Sequence, residues 1–243
     1  MSIIPYKNMY LCAFREFDHY YLTHSFFRYT DRLASKNELF FAKIDNQFNI
    51  ESDSARFRDL KVNYGSFKSR DNIIHDPRLF KWNEKLYMSA SMFVRPFSKN
   101  KFKVGVYELN DQDWKMTAKL IHDSRDSIGI SQHQKNWMAV PNQPGKMIIQ
   151  VLADRVKVVD IFSSKLYEVE SGVDLGTEWN GSAMFRINET RLLALVHRHE
   201  PCDTGRNYFH RFLVLDNDLK VVYASRRFKF DDTFPIGFAT SIF

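Results

Sequence analysis

One short pattern recurs four times along this 243-residue chain and constrains its fold more than any other feature. Each copy is an extended apolar run, a tight turn rich in Asn, Gly and Lys, and a second extended run, which is the pattern of a β-hairpin. Hairpins repeated with a period of roughly 45 to 75 residues indicate propeller blades, because each blade buries its faces only against its neighbours. The sequence therefore predicts an all-β β-propeller whose innermost strands begin around one central pocket. The four copies span Ser2–Phe14, Asp76–Ser89, Asn136–Val151 and Gly181–His197.

The repeats divide one expected domain, residues 1–243, into blades, since no Gly/Ser-rich or Pro-rich stretch separates two domains. A last extended run begins near Phe234, and the sequence reaches Phe243 before a second strand. We therefore expect a propeller of the five-bladed type, with the last blade incomplete or closed by the N-terminal segment. Because an unpaired strand edge invites further pairing, a partner chain or a second copy is another way to complete that blade. The blades are expected at about 1–50, 73–122, 131–170 and 176–226, with a partial blade at 232–243.

Composition favours strands and an anionic ligand. Aromatic residues make up 15% of the chain, and such residues pack well on a pleated sheet. Lys and Arg number 35 against 29 Asp and Glu, which gives a net charge of +6 and a pI near 9.2. A basic balance favours a phosphate, a sugar nucleotide or a nucleic acid as partner, or else only a solvated basic surface. Because the cations are scattered along the chain, nucleic-acid binding is the least favoured of these.

Several other classes of protein are disfavoured. Cys12 and Cys202 have no metal-like spacing and are expected to be reduced, which favours the cytoplasm. No apolar run reaches the length that crosses a bilayer. A phosphate loop, a dinucleotide fingerprint, a zinc motif and a serine nucleophile elbow are all missing from the sequence. We therefore expect no membrane span, no metal and no tightly bound cofactor.

Asp76 is the strongest candidate for a catalytic group. It opens the inner strand of the second predicted blade, at the mouth of the central pocket, where a partly desolvated carboxyl can act as general acid or base. An aspartate before a proline also caps turns and starts strands, so the residue type alone leaves a structural role open.

The segment His75-Asp-Pro-Arg-Leu-Phe80, followed by Lys85-Leu-Tyr-Met-Ser-Ala90, resembles a blade motif of five-bladed glycosidase-like propellers. The greatest similarity is to glycoside hydrolase family 130, the β-mannoside phosphorylases, and to related glycosyltransferases. In that family the motif reads Glu-Asp-Pro-Arg and its aspartate is the proton donor, so the resemblance implies that role for Asp76. Here His75 replaces the glutamate, and this departure favours a non-catalytic relative.

Other segments are similar to the same family and imply a set of substrate- or anion-binding residues. An arginine follows the second strand of the family's first blade, and a Lys-Asn pair opens its third blade, where the lysine helps to bind phosphate. The fourth repeat resembles the following blade. A cation or histidine at the end of a strand more often has a structural role or faces solvent. No single assignment is therefore strong, and the evidence is that these residues are expected on the same side of the propeller. The implied residues are Arg15, Arg78, Lys135, Asn136, Trp137, His197 and Arg198.

Further residues fit a sugar site but fit ordinary packing as well. Trp179, Tyr20 and Tyr21 offer aromatic faces for a pyranose ring, as Trp137 does, although core packing is the simpler role for each. Glu178 is a second carboxylate near an inner-strand start, and a solvated loop position is favoured for it. His210 lies in an alternating strand, where packing is again favoured.

The sequence thus predicts a carbohydrate-active enzyme that transfers or cleaves a glycosyl unit, β-mannosyl by resemblance, with Asp76 as acid/base. Inorganic phosphate or an activated sugar donor would be the co-substrate. The alternative is a non-catalytic propeller that binds a glycan or a protein, since a propeller fold by itself implies no chemistry.

Overall fold

The computed structural model describes residues 2–16, 38–50, 61–63, 73–94, 101–112, 115–124, 135–202 and 205–230. These residues contain sixteen β-strands and no α-helix. The strands are β1 (Ser2–Tyr6), β2 (Met9–Glu16), β3 (Glu38–Ile44), β4 (Lys61–Asn63), β5 (Ile73–Trp82), β6 (Lys85–Val94), β7 (Lys101–Gln112), β8 (Lys115–Asp123), β9 (Met138–Ala139), β10 (Lys146–Val151), β11 (Arg155–Asp160), β12 (Lys165–Glu170), β13 (Asn180–Asn188), β14 (Arg191–Cys202), β15 (Gly205–Asp216) and β16 (Val221–Ala224).

The strands form four sheets, which we number as blades in chain order. Blade 1 is β1-β2-β3, blade 2 is β5-β6-β7-β8 with β4 added outside β8, blade 3 is β9-β10-β11-β12, and blade 4 is β13-β14-β15-β16. Neighbouring strands are antiparallel except for the parallel pair β4 and β8. The first strand of each blade is its innermost strand, and we call its first residues the head of that strand.

This arrangement confirms the predicted all-β β-propeller. The described residues form four blades, however, and not the five that the resemblance implies. The predicted partial blade at 232–243 lies outside the described residues. Within the described residues no helix is long and apolar enough to cross a membrane.

Turn chemistry explains where the hairpins reverse. Asn83 and Glu84 connect β5 to β6, and their φ angles of 47° and 61° are both positive. A two-residue turn with two positive φ angles matches the right-handed twist of the flanking strands, and Asn adopts this conformation at little cost. The turn pairs Trp82 with Lys85 and so fixes which side chains of the hairpin face the neighbouring blades.

Three apolar clusters join the blades in pairs. One lies between blades 1 and 2 and contains Phe41 and Met88, and another lies between blades 3 and 4 and contains Val158 and Leu213. The third lies between blades 2 and 3 around Trp82, whose Nε1 donates a hydrogen bond to the carbonyl oxygen of Val140 at 2.9 Å. Because each blade buries its faces on its neighbours, the inner strands are held at the centre of the ring.

Candidate functional site

A cavity of about 310 Å³ occupies the centre of the propeller. All four inner strands line it, through residues 4–5 of β1, 78–82 of β5, 138–139 of β9 and 182–186 of β13. Its charged lining residues among the described part of the chain are Arg78, Lys81 and Arg186, all of them cationic. The cavity is therefore a basic pocket at the place where the repeat pattern predicted a central one.

Arg78 is the most unusual residue of this cavity. Its side chain is only 5% exposed, and one terminal nitrogen, Nη2, donates to Oδ1 of Asn136 at 3.0 Å. Nε and Nη1 are also buried, but neither has a hydrogen-bond partner. Burial lowers the pKa of Arg78 to about 10, and the negative charge of Asp76 acts in the opposite direction. The guanidinium remains charged near pH 7 and keeps unused donors at the cavity wall.

An irregularity at the head of β5 brings Asp76 close to Arg78. The pairing of β5 with β6 slips between His75 and Arg78, which is a β-bulge. Asp76 lies in the bulge with a φ of 51°, in the left-handed region that few residues other than glycine adopt. The side chain is half-buried, but it is not among the residues that line the cavity.

The contact between Arg78 and Asn136 depends on a close approach between blades 3 and 4. Asn136 has a φ of 61° just before β9, and its carbonyl oxygen faces Gly181 at the head of β13. A Cβ atom at position 181 would lie 2.6 Å from that oxygen, closer than real Cβ atoms approach. Glycine is therefore required at position 181 if Asn136 is to stay where Arg78 reaches it.

Ser182 and His197 form a buried pair beside Arg78. Ser182 lines the cavity, and its Oγ lies 2.7 Å from Nδ1 of His197. Both side chains are buried. Burial, and to a smaller extent the positive charge of Arg78, lowers the pKa of His197 to about 3. The imidazole is therefore neutral at physiological pH and adds no charge to the cavity wall.

His210 lies opposite His197 on the adjacent strand β15. It is fully buried, at 0% exposure, and neither ring nitrogen has a hydrogen-bond partner. The rings of Phe228 and Phe230 pack against it with centroids 5.8 and 4.5 Å away. Burial lowers the pKa of His210 to about 4, so this ring is neutral as well. The packing role favoured from the sequence is the one observed.

Aromatic and apolar side chains form the rest of the wall. Trp137 is 1% exposed and belongs to the cluster between blades 2 and 3, yet it also lines the cavity. Phe80, Trp82 and Phe185 line it too. Apolar walls with a few polar groups are typical of ligand pockets.

The structure brings together some of the residues nominated from the sequence. Arg78 and Trp137 line the cavity, Asn136 binds Arg78, and His197 binds the cavity residue Ser182. Lys135 is half-buried just ahead of Asn136, and it is not a lining residue.

Other nominated residues lie elsewhere. Arg198 follows His197 but points to the opposite face of β14, where it pairs with Glu200 at 3.3 Å and lies 5.9 Å from the ring of Trp179. Trp179 is itself 2% exposed and part of the core between blades 3 and 4. Glu178 is exposed and accepts a hydrogen bond from Gln150 at 2.6 Å. Arg15 lies in β2, but its side chain is outside the described part, as are Tyr20 and Tyr21.

Sequence reasoning missed several cavity residues. Lys81 and Arg186 were not nominated, and Ser182 was noted only as part of a strand start. Ser89 was also missed; it is 2% exposed and lies directly opposite Arg78 in the register of β5 and β6. Counting along the hairpin from the Asn83–Glu84 turn would have paired Ser89 with Arg78, because the register is unbroken up to Arg78 and the bulge lies beyond it.

No group of three or more His, Cys, Asp or Glu residues in the described ranges could hold a metal ion. Cys12 is a buried free thiol, and burial raises its pKa.

Comparison with known proteins places the fold. No family model and no curated protein matches the chain. A protein from Parabacteroides distasonis ATCC 8503, provisionally assigned as a glycoside hydrolase, superposes with a TM-score of 0.55 at 11% sequence identity, over 92% of this chain and 71% of that one. This likeness concerns the fold alone, and the fold of this chain is an all-β β-propeller.

A second solved structure is an exo-1,5-α-L-arabinanase from a bovine ruminal metagenomic library. It superposes with a TM-score of 0.47 at 13% identity, over 90% of this chain and 74% of that one. A shared fold by itself implies no shared activity, so the activity has to be argued from the site.

Proposed function

We propose that this propeller is a carbohydrate-active enzyme that transfers or cleaves a glycosyl unit at its central cavity, with Asp76 as the acid/base. The observation that carries the proposal is the bulge at the head of β5. It holds Asp76 at a φ of 51°, beside the buried Arg78 at the cavity wall. Backbone strain at a residue other than glycine persists where the surroundings enforce it, and it clusters at functional sites.

The cavity fits a sugar in size and lining. Its volume of about 310 Å³ lies at the lower end of ligand pockets. The apolar face of a pyranose packs on aromatic rings such as Trp137, while its hydroxyl groups need polar partners such as Ser182 and Ser89, both of which line the cavity.

In the proposed reaction, the bond between the anomeric carbon and the bridging oxygen breaks. Asp76 gives its proton to the departing oxygen, and the anomeric carbon takes an oxygen from water, phosphate or an acceptor sugar, whose released proton restores the acid form of Asp76. For synthesis from an activated donor, Asp76 instead takes the proton of the acceptor hydroxyl, while the activating group of the donor leaves with the electron pair of its bond to the anomeric carbon. Arg78 holds an anionic group of the substrate or co-substrate, and the resemblance makes β-mannosides the first substrates to test.

A non-catalytic glycan- or protein-binding propeller is the second candidate. It is favoured by the position of Asp76, which does not line the cavity that Arg78 lines. Binding at the cavity without bond cleavage would then be the whole function.

The test is glycosyl release or transfer from a panel of β-mannosides and other glycosides, with and without phosphate. Asp76→Asn keeps a residue that tolerates positive φ and removes the acid, so activity should fall by about 100-fold or more. Asp218→Asn, at an exposed turn, is the matched control and should retain full activity. Equal activity of wild type and Asp76→Asn would refute the role of Asp76. Sugar binding without turnover in both would establish the second candidate.

A further inference from the structure

We infer that the ligand of the central cavity is an acidic sugar whose carboxylate binds to Arg78. This inference rests on the proposed function and deepens it, because it names the substrate class as uronic-acid glycosides. It is drawn from the charges, burial and unused hydrogen-bond donors of the cavity wall.

The charge of the cavity comes first. Its charged lining residues in the described part of the chain are Arg78, Lys81 and Arg186, and none is acidic. Lys81 lies over the ring of Tyr6 at 5.7 Å. Arg186 donates to the carbonyl oxygens of Asn188 and Glu189, although its Nε also lacks a partner. A pocket with this lining concentrates anions and repels cations.

Arg78 is a buried cation whose hydrogen-bond donors are largely unsatisfied. It is 5% exposed, and among the described residues it forms no ion pair. Only Nη2 has a protein partner, so the N–H of Nε and both N–H bonds of Nη1 are left without an acceptor. A buried charge without partners is strongly destabilising, and such groups are retained where a ligand completes them.

The surroundings of Arg78 can complete the recognition of a carboxylate. Asn136 fixes the guanidinium from one side at 3.0 Å. Ser89 lies opposite Arg78 across the hairpin, and both Ser89 and Ser182 line the same cavity. A hydroxyl can donate to a carboxylate oxygen or accept from a sugar hydroxyl, so the same wall can bind both parts of a uronate.

The same surroundings favour a single negative charge over a double one. The neighbouring His197 is neutral, because burial lowers its pKa to about 3. A carboxylate would neutralise the charge of Arg78, which forms no ion pair among the described residues. A phosphate dianion would bring two charges into the same buried place, and the cost of desolvating an ion rises steeply with its charge.

The experiment measures binding by calorimetry with two probes that differ only in the group at C6: methyl β-mannosiduronate and methyl β-mannoside. Wild type should bind the uronide at least 10-fold more tightly, and this comparison needs no variant. In Arg78→Met, a variant of similar length without charge, the preference should disappear. Arg155→Met removes an exposed arginine that is bonded to Asp154 and Glu168, and it should leave the preference unchanged.

A stability measurement separates a binding role of Arg78 from a purely structural one. If the buried guanidinium serves the ligand, Arg78→Met should unfold at the same or a higher urea concentration than wild type, because an uncompensated buried charge has been removed. Adding the uronide should then stabilise wild type and not the variant.

Three outcomes would overturn the inference: equal affinity for the two mannosides, tighter binding of inorganic phosphate than of the uronide, or an Arg78→Met variant that keeps the preference. The proposed function fails separately. A protein that binds the uronide through Arg78 but releases no sugar keeps this inference and loses the enzymatic assignment. A protein that cleaves neutral mannosides without preferring the uronide does the reverse.

Discussion

Oγ of Ser182 and Nδ1 of His197 lie 2.7 Å apart inside the propeller, where both residues are almost fully buried. One belongs to the innermost strand of blade 4 and the other to the strand beside it. The pair connects the wall of the cavity to a histidine that burial and Arg78 hold neutral. Protonation of this histidine must therefore oppose folding.

Stability should fall as the solution is acidified. Burial lowers the pKa of His197 to about 3 and that of His210 to about 4, both from 6.5. Between these values the unfolded chain binds more protons than the folded one, so the free energy of unfolding is highest above pH 6.5 and decreases below it. Well below pH 6.5, each histidine contributes a slope of roughly 1.4 kcal/mol per pH unit.

Urea denaturation at pH 7.5, 6.5 and 5.5 measures this dependence above the range where most carboxylates titrate. A free energy of unfolding that stays constant between pH 7.5 and 5.5 would show that the two buried histidines bind protons in the folded protein as readily as in the unfolded chain.

His210→Phe should stabilise the protein. Both ring nitrogens of His210 are buried without partners, and Phe228 and Phe230 pack around the ring. Leaving a buried polar group unsatisfied costs about 1–3 kcal/mol, so a phenyl ring should raise the free energy of unfolding by about 1 kcal/mol at pH 7. The substitution should also remove the contribution of His210 to the slope of the free energy of unfolding against pH. A loss of stability at pH 7 would contradict the absence of hydrogen bonds at this ring.

Trp82→Phe should weaken the junction between blades 2 and 3. The change removes the hydrogen bond from Nε1 to the carbonyl of Val140, and it leaves both an unpaired carbonyl and a small void in the core around a residue that is 2% exposed. Together these should lower the free energy of unfolding by about 2–3 kcal/mol in urea denaturation. Tyr223→Phe, at a side chain 57% exposed, should change it by less than about 0.5 kcal/mol. Equal effects of the two substitutions would place Trp82 outside the cooperative core.

Gly181→Ala should damage the site more than the fold around it. The added methyl group would meet the carbonyl oxygen of Asn136 at 2.6 Å, so the segment that holds the Arg78 partner has to move. We expect a loss of about 1–3 kcal/mol in the free energy of unfolding and weaker binding of any cavity ligand. Gly176→Asn is the comparison. Gly176 has a φ of 70° and no atom within 4 Å of a Cβ position, and Asn tolerates that backbone conformation, so both properties should stay near wild type.

Local patterns determined the strands. The turn at Asn83–Glu84 could be recognised because two positive φ angles need particular residues, and the alternating runs around it became β5 and β6. The same local logic placed Asp76 at the head of an inner strand. It did not give the right number of blades: a propeller of the five-bladed type was expected, and the described residues form four blades. Closure of a ring depends on contacts between its first and last blades, which local patterns do not contain.

Two candidates that are adjacent in the sequence show what local patterns cannot predict. His197 and Arg198 were nominated together, but consecutive residues of a strand face opposite sides, so one binds the cavity residue Ser182 and the other packs near Trp179. The sequence offered no means to choose between them, since both sides of a propeller blade face other parts of the protein.

The sequence by itself determined that the chain forms hairpins of a propeller and that an Asp-Pro-Arg segment lies near the start of an inner strand. Only the tertiary structure decided that the arginine of this segment is buried beside an asparagine 58 residues further along, with Nε and Nη1 lacking partners. The physical reason is that turns and alternation are properties of adjacent residues. Burial, unused hydrogen-bond donors and a lowered pKa arise only when the four inner strands meet at the centre.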